Sequence, residues 1–268
     1  NYDRDVLVYC ESPDETSSVN DVFAYYESVW NYKESKAFLK NNRCAGNKKV
    51  RAARKELLDN YSIYYADNKD YLTDTDYTDE ISNIALLSNP IECGAKKPVV
   101  WYQLTKLMEQ ADSQVKIHTP YIICNEYMYD GLKKVCDSVE NVSLMTNSVG
   151  NNGNPFGSAD YYAHKDKVLG TGLEVWEYEG GYSYHGKSVL IDDDISVVGS
   201  FNIDMRSVYL DTELMLVIRS SEINKQLEEG MMTYEKMSRQ VLEDGTYNNP
   251  YHVEPIALTK KKQIKIFL

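Results

Sequence analysis

One stretch of the chain concentrates side chains suited to phosphate chemistry: His185 and Lys187, then Asp192, then Gly199, Ser200 and Asn202. Written as a pattern it is H-x-K-x(4)-D-x(6)-G-S-x-N. An imidazole can attack phosphorus or carry a proton, while lysine, serine and asparagine can hold non-bridging oxygens. The apolar pairs Leu190-Ile191 and Val197-Val198 around the motif have the character of buried strands. Side chains two apart on a strand point the same way, so His185 and Lys187 are expected on one face. Ser200 and Asn202 share a face in the same way if their run is extended. Asp192 sits an odd number of residues from both His185 and Lys187, so it faces away from them. It is expected to make a structural hydrogen bond or salt bridge rather than to take part in chemistry.

The elements that must position this motif alternate. From Pro98 onward the pattern predicts a helix over 99–111, a strand over 114–124 and a helix over 127–138. A short strand over 142–146, a loop rich in Asn and Gly over 147–155, a helix over 159–170 and a strand over 173–178 follow. The motif then forms a hairpin, with a strand over 210–217 and a helix from about Ser221 behind it. Asn248-Asn249-Pro250 breaks that last helix. Alternating strands and helices predict an α/β sandwich with a mixed β-sheet flanked by helices.

The start of the chain has the same texture, with a strand over 3–9 and a helix over 17–30. Laying Asp5 on Glu213 aligns both strands and both helices, which reads as an internal repeat whose first copy is incomplete. The expected division is 1–35 as the tail of that first repeat, 36–90 as a connecting segment, 91–245 as the second domain and 246–268 as a C-terminal tail. Within the connecting segment 48–58 is a helix by propensity with a basic face, either solvated or meeting lipid head groups or a polyanion. The stretch 67–79 is acidic and expected as loop. The basic, apolar end over 260–268 is either an interfacial amphipathic segment or a frayed tail.

Composition bounds the function. With 268 residues, 43% hydrophobic and 26% charged, the chain can bury a real core. Its net charge of −12 argues against general nucleic-acid binding, which demands a basic footprint, and against adsorption to anionic lipid through bulk charge. A local basic cleft is compatible with that total. Five cysteines, widely spaced and without C-x-x-C pairs, read as reduced and mostly buried, with no zinc site. No cofactor or metal is expected.

The motif resembles the signature of the phospholipase D superfamily at every specified position. Phe201 to Ser207, Asp211-Thr212-Glu213, Thr119-Pro120-Tyr121 and Thr146-Asn147-Ser148 are similar, more narrowly, to bacterial cardiolipin synthases. The resemblance runs from about Pro98 to Ser238. It implies a two-step phosphoryl transfer through a phosphohistidine in a cleft between two such motifs. This chain would carry the second, and an upstream segment or a second subunit the first. By that resemblance His185 is the general acid/base, Lys187, Ser200 and Asn202 hold phosphate, and Glu213 accepts from the imidazole Nδ1–H and fixes its tautomer. Asp5 would play that part for the absent first histidine. The resemblance also implies a phospholipid substrate such as phosphatidylglycerol, and no nucleic acid. The implied location is the bacterial cytoplasmic membrane, facing the cytoplasm, held peripherally or by an anchor outside this stretch.

The leading function is phosphatidyl transfer in cardiolipin-type synthesis. The alternatives are hydrolysis, by a phospholipase D or a nucleic-acid phosphodiesterase, and a non-catalytic membrane-associated scaffold. Alone, the single motif is expected to be poorly active unless two copies pair. Of the other histidines, His164 lies on a predicted helix and His252 in the tail, while His118 is expected to pack on a buried strand or line the substrate site. Tyr121, Tyr182 and Tyr184 either border the site or lie near it by chance.

Overall fold

A computed structural model describes residues 14–36, 46–68, 81 and 83–267. Asp5 and the strand expected over 3–9 lie outside these, as does nearly all of the acidic stretch over 67–79. The contacts divide the chain into one unit of residues 1–27 and 81–268 and another of residues 28–80.

Among the described residues of the larger unit, nine strands form one mixed sheet. They are β1 (Asn83–Ser88), β2 (Gln114–His118), β4 (Asn141–Asn147), β5 (Glu174–Tyr178), β6 (Ser188–Ile191), β7 (Ile195–Gly199), β9 (Leu214–Arg219), β10 (Ser238–Val241) and β11 (Tyr247–Asn248). Their order is β1-β9-β7-β6-β2-β4-β5-β10-β11, with β2, β4 and β5 parallel and the other pairs antiparallel. A two-stranded ribbon pairs β3 (Ile122–Ile123) with β8 (Ile203–Asp204).

Period-two alternation explains how both faces are covered. Val189, Ile191, Val115 and Ile117 join one large core with α3 (Val99–Met108) and α4 (Glu126–Ser138). Between them, Leu190 packs with Val198, Leu227 and Met231 under α7 (Ser221–Glu235). All four residues of β6 are buried, which is why Val189, Leu190 and Ile191 follow Ser188 as a continuous apolar run. Each fully buried aliphatic side chain contributes ~1.5–3 kcal/mol. The strand carrying the motif is therefore clamped on both sides.

Several expectations are corrected. The strand over 114–124 breaks after His118, because Pro120 has no N–H and the chain turns through Thr119–Tyr121 before β3. Helix α5 (Pro155–Leu169) begins four residues earlier than 159, with Asn154 accepting from Phe156 N and Pro155 in its first turn. The strand over 210–217 is β9, shifted C-terminally, because Asp204 caps a short helix α6 (Met205–Tyr209) ahead of it. Helix α7 starts where expected, with Ser220 accepting from Ile223 N, but ends at Glu235 rather than near Asn248. The hairpin β10–β11 takes its place, extending the sheet beyond β5. Strand β1, unforeseen, pairs with β9 at the far edge.

Helix α1 (Ser18–Trp30) forms as expected, but Phe23, Tyr26 and Trp30 on its apolar face are exposed. Helix α2 (Lys48–Asn68) extends the predicted basic helix, and every residue of it whose burial is described is exposed. At the end of the chain α8 (Lys260–Phe267) is helical. Cys93, Cys124 and Cys136 are free thiols, Cys93 exposed and the other two half-buried. Burial pushes the Cys136 thiol up to about 11. Among the described residues no helix is long and apolar enough to cross a membrane.

Candidate active site

The β6–β7 hairpin sets the frame. Asp192 occupies its turn at a φ of 49°, a left-handed conformation that aspartate tolerates better than most residues. Its carboxylate accepts from Asp112 N (2.9 Å), Ser113 N (2.8 Å), Gln114 N (3.1 Å) and Ser113 Oγ (2.9 Å), tying the turn to the start of β2. Burial alone would raise its pKa, but these bonds win and hold the group below the usual carboxylate range. Asp192 is thus the structural residue that its spacing implies.

At the other end of the hairpin Gly199 N donates to Lys187 O (3.3 Å), which sets the two halves of the motif side by side. His185 and Lys187 precede β6 rather than lie in it, yet they meet as their spacing predicts: Lys187 Nζ is 2.9 Å from His185 Nδ1. The ammonium also donates to His185 O. An ammonium only donates, so Nδ1 is the acceptor and a neutral ring carries its proton on Nε2. Lys187 is only 8% exposed and His185 half-buried, so the ammonium stands at the site wall with its stem in the core.

The G-S-x-N half is held differently. Ser200 and Asn202 follow β7 and do not lie on a strand. Ser200 Oγ donates to Glu213 Oε2 and accepts from Leu214 N at 3.1 Å. Glu213 Oε1 accepts from Ser207 Oγ (2.7 Å), and that hydroxyl in turn accepts from Asn202 N (3.3 Å) and Asn202 Nδ2 (3.4 Å). Glu213 is buried, and its two oxygens fasten Ser200 directly and Asn202 through Ser207. Asn202 Oδ1 is buried without a hydrogen-bond partner, an acceptor left open in the site.

The structure therefore joins His185 to Lys187, and Ser200 and Asn202 to Glu213, so the Glu213 carboxylate meets the two serine hydroxyls where an Nδ1–H of His185 was expected. Behind Lys187 a small cavity of about 10 Å³ is lined by Trp101, His118 and Phe201 among others. A larger depression of about 310 Å³ opens instead over one face of β2, β4 and β5, among Lys116, Trp176, Glu235 and Tyr251.

Supporting residues were missed in the sequence. Ser207 is fully buried at the centre of the second cluster. Asn89, just past β1, donates from Nδ2 to Ser207 O (2.6 Å), and its backbone N–H donates to Glu213 O (2.9 Å). Ser207 closes the Phe201–Ser207 stretch and the N-cap pattern Asp204-x-x-Ser207, but neither points to a bond with Glu213, and nothing local points to Asn89. Tyr121 approaches Asp204 across the β3–β8 ribbon. Burial, then the Asp204 carboxylate to which it hydrogen-bonds, pushes the phenol up to about 12. The two stretches Thr119–Tyr121 and Phe201–Ser207 are thereby brought together. In α1, burial and the nearby Glu213 charge raise the phenol of Tyr25.

His118 is buried, with Nδ1 3.2 Å from Tyr184 Oη and Nε2 3.2 Å from Glu235 Oε1. It packs, as one of its two readings held, and it also borders both concavities. His164 stays on α5 beside Asp160. Tyr184 is buried, whereas Tyr182 is 66% exposed.

Residues 104–233 match the family described as cardiolipin synthase, PLD-like domain. Cardiolipin synthase 1 of Staphylococcus epidermidis is 31% identical over 126 residues, which is 47% of this chain and 25% of that protein. Cardiolipin synthase 1 of Staphylococcus aureus is 28% identical over 177 residues, 64% of this chain and 35% of that protein. The chain thus spans between a quarter and about a third of these relatives' length. A phospholipase D family member, Nuc from Salmonella typhimurium, superimposes with a TM-score of 0.47 at 15% identity, over 59% of this chain and 97% of that one. Over residues 104–233 the chain is similar to the phospholipase D-like domain of bacterial cardiolipin synthases.

Proposed function

We propose that this chain supplies the second motif of a phosphatidyltransferase that makes cardiolipin-type phospholipid through a phosphohistidine. The observation that carries the reading is the convergence of Lys187 on His185, beside a hydroxyl–carboxylate cluster that holds Ser200 and Asn202. Its relatives' names point to phospholipid rather than nucleic acid, in keeping with the net charge of −12.

An incoming phosphodiester offers Lys187 anionic oxygens, stronger acceptors than a ring nitrogen. Once the ammonium turns to them, His185 Nδ1 is open to a proton and the imidazolium can hand its Nε2 proton to the leaving alcohol. The nucleophilic imidazole comes from the first motif, on an upstream segment or a second subunit. It forms the P–N bond as the P–O bond to the leaving alcohol breaks. In the second half His185 takes the proton of the incoming alcohol, whose oxygen displaces the histidine. Lys187 holds the non-bridging oxygens, Ser200 can join it only by turning its one hydroxyl proton away from Glu213, and that carboxylate otherwise keeps Ser200 and Asn202 in place. Residues 91–245 act as the second catalytic domain, working at a membrane surface.

Product analysis tests the reading. The full-length protein is incubated with phosphatidylglycerol and its products are separated by mass spectrometry. Cardiolipin with one free glycerol is the expected outcome. Phosphatidic acid with glycerol would make the protein a hydrolase, and the absence of any lipid turnover would contradict the enzymatic reading.

A further inference from the structure

Between β5 and β6 the chain passes through Gly181–Tyr184 to reach His185. Two asparagine side chains meet the backbone of this run. Asn147 Oδ1 accepts from Tyr184 N at 2.8 Å, and Asn147 Nδ2 donates to Tyr184 O at 2.9 Å. A neighbouring residue in a β-ladder exchanges the same two bonds. One helical turn's worth of sequence later, Asn151 repeats the device: its Oδ1 accepts from Gly181 N (3.0 Å) and its Nδ2 donates to Tyr182 O (3.0 Å). The two amides are themselves joined, Asn151 Nδ2 donating to Asn147 Oδ1 at 2.9 Å. Asn147 Nδ2 also donates to Pro120 O (2.7 Å). Both donors and both acceptor lone pairs of Asn147 are therefore used, and the residue is 1% exposed.

The placement is specific. Asn147 is the last residue of β4, where its backbone pairs with Tyr178, so its side chain continues the sheet's hydrogen bonding towards His185. The ring of Tyr184 is fixed as well, with its hydroxyl against His118 and its centroid 4.9 Å from that of Tyr234 in an edge-to-face pair. Aspartate at 147 would keep the shape but lose both donors and set a charge against two carbonyls. A shorter side chain would remove both of these bonds from the Tyr184 backbone.

We propose that Asn147 and Asn151 are positioning residues, whose amides hold the Gly181–Tyr184 backbone and so fix where the His185 imidazole stands. The inference rests on the reading of His185 as a reacting group. A displacement of about 1 Å at such a group costs on the order of 10²-fold in rate.

The test combines two readouts on Asn147→Ala and Asn151→Ala. In the chain itself, amide hydrogen exchange by NMR should accelerate about tenfold or more at Tyr184 in Asn147→Ala and at Gly181 in Asn151→Ala, while β2 and β4 keep their protection. In the full-length protein turning over phosphatidylglycerol, kcat should fall ~10–10²-fold with KM within about twofold. Unchanged exchange at these amides, unchanged kcat in a folded variant, or a raised KM with kcat intact would each overturn the positioning role. If Asn147→Ala does not fold, the less buried Asn151→Ala decides alone. Full turnover in His185→Ala would overturn the reading of His185, and with it the positioning claim, whatever the exchange shows.

Discussion

Lys187 and Ser200 are both suited to phosphate oxygens, but they are prepared for them differently. The lysine rests on an imidazole nitrogen that it can leave, whereas the serine is fastened to a buried carboxylate. Around that carboxylate Ser207 is the residue with most to lose. Its hydroxyl donates to Glu213 and accepts twice from Asn202, and it is fully buried. Ser207→Ala leaves Asn202 N and one Glu213 oxygen unpaired and is expected to cost ~1–3 kcal/mol, read by denaturant unfolding. A change within the error of that measurement would mean the cluster tolerates the gap. His185 and Lys187 were legible because two residues two apart must converge if the chain is extended. Ser207 was not, since its bonds to Asn202 and Glu213 follow no helix or strand period although they lie within six residues, and Asn89 was not, since its partner Ser207 lies 118 positions away.

Among the elements, the β6–β7 hairpin and its neighbour β9 do the most to place the motif. A Cβ on Gly199 would stand 2.2 Å from Leu214 O and 2.8 Å from Met215 Cα, so β9 can lie against β7 here only because position 199 is glycine. Gly199→Ala is expected to lose ~1–3 kcal/mol and to shift Ser200, and calorimetry with an activity assay would check both. The turn carries a pH signature. Asp192 has a folded-state pKa below its unfolded value, so its contribution is present above the ordinary carboxylate range and is lost as pH falls through the folded value. Melting temperature measured downward from about pH 5 should therefore drop less steeply in Asp192→Asn than in the unmutated chain. An identical slope would remove Asp192 from the acid response. Sequence periodicity found the central strands and helices, whose apolar patterns are long. It missed β10 and β11, which are short and largely polar, and β1, whose apolar run Ile84–Leu87 lies at the sheet's edge, and it ran one strand through Pro120, where the ladder had to stop.

At the scale of the whole molecule, the His185–Asn202 motif is held in place by one sheet covered on both faces, while the chemistry proposed for it needs a second imidazole. Turnover by residues 1–268 alone is expected to fall at least ~10²-fold below that of the full-length protein, measured at equal molar concentration. Equal rates at every dilution would mean that this chain completes a site by itself. The role assigned to His185 is open to a sharper question. A general acid matters when the leaving alcohol is a poor leaving group and hardly at all when it is a good one, whereas a nucleophile matters equally for both. The deciding measurement is the rate of His185→Ala relative to the unmutated full-length protein on two phosphatidyl esters, one releasing glycerol and one releasing p-nitrophenol. A loss of ~10²–10⁴-fold on the glycerol ester, with a much smaller loss in the burst of p-nitrophenol, is predicted. Equal losses on both would make His185 the nucleophile, and no loss on either would remove it from the chemistry.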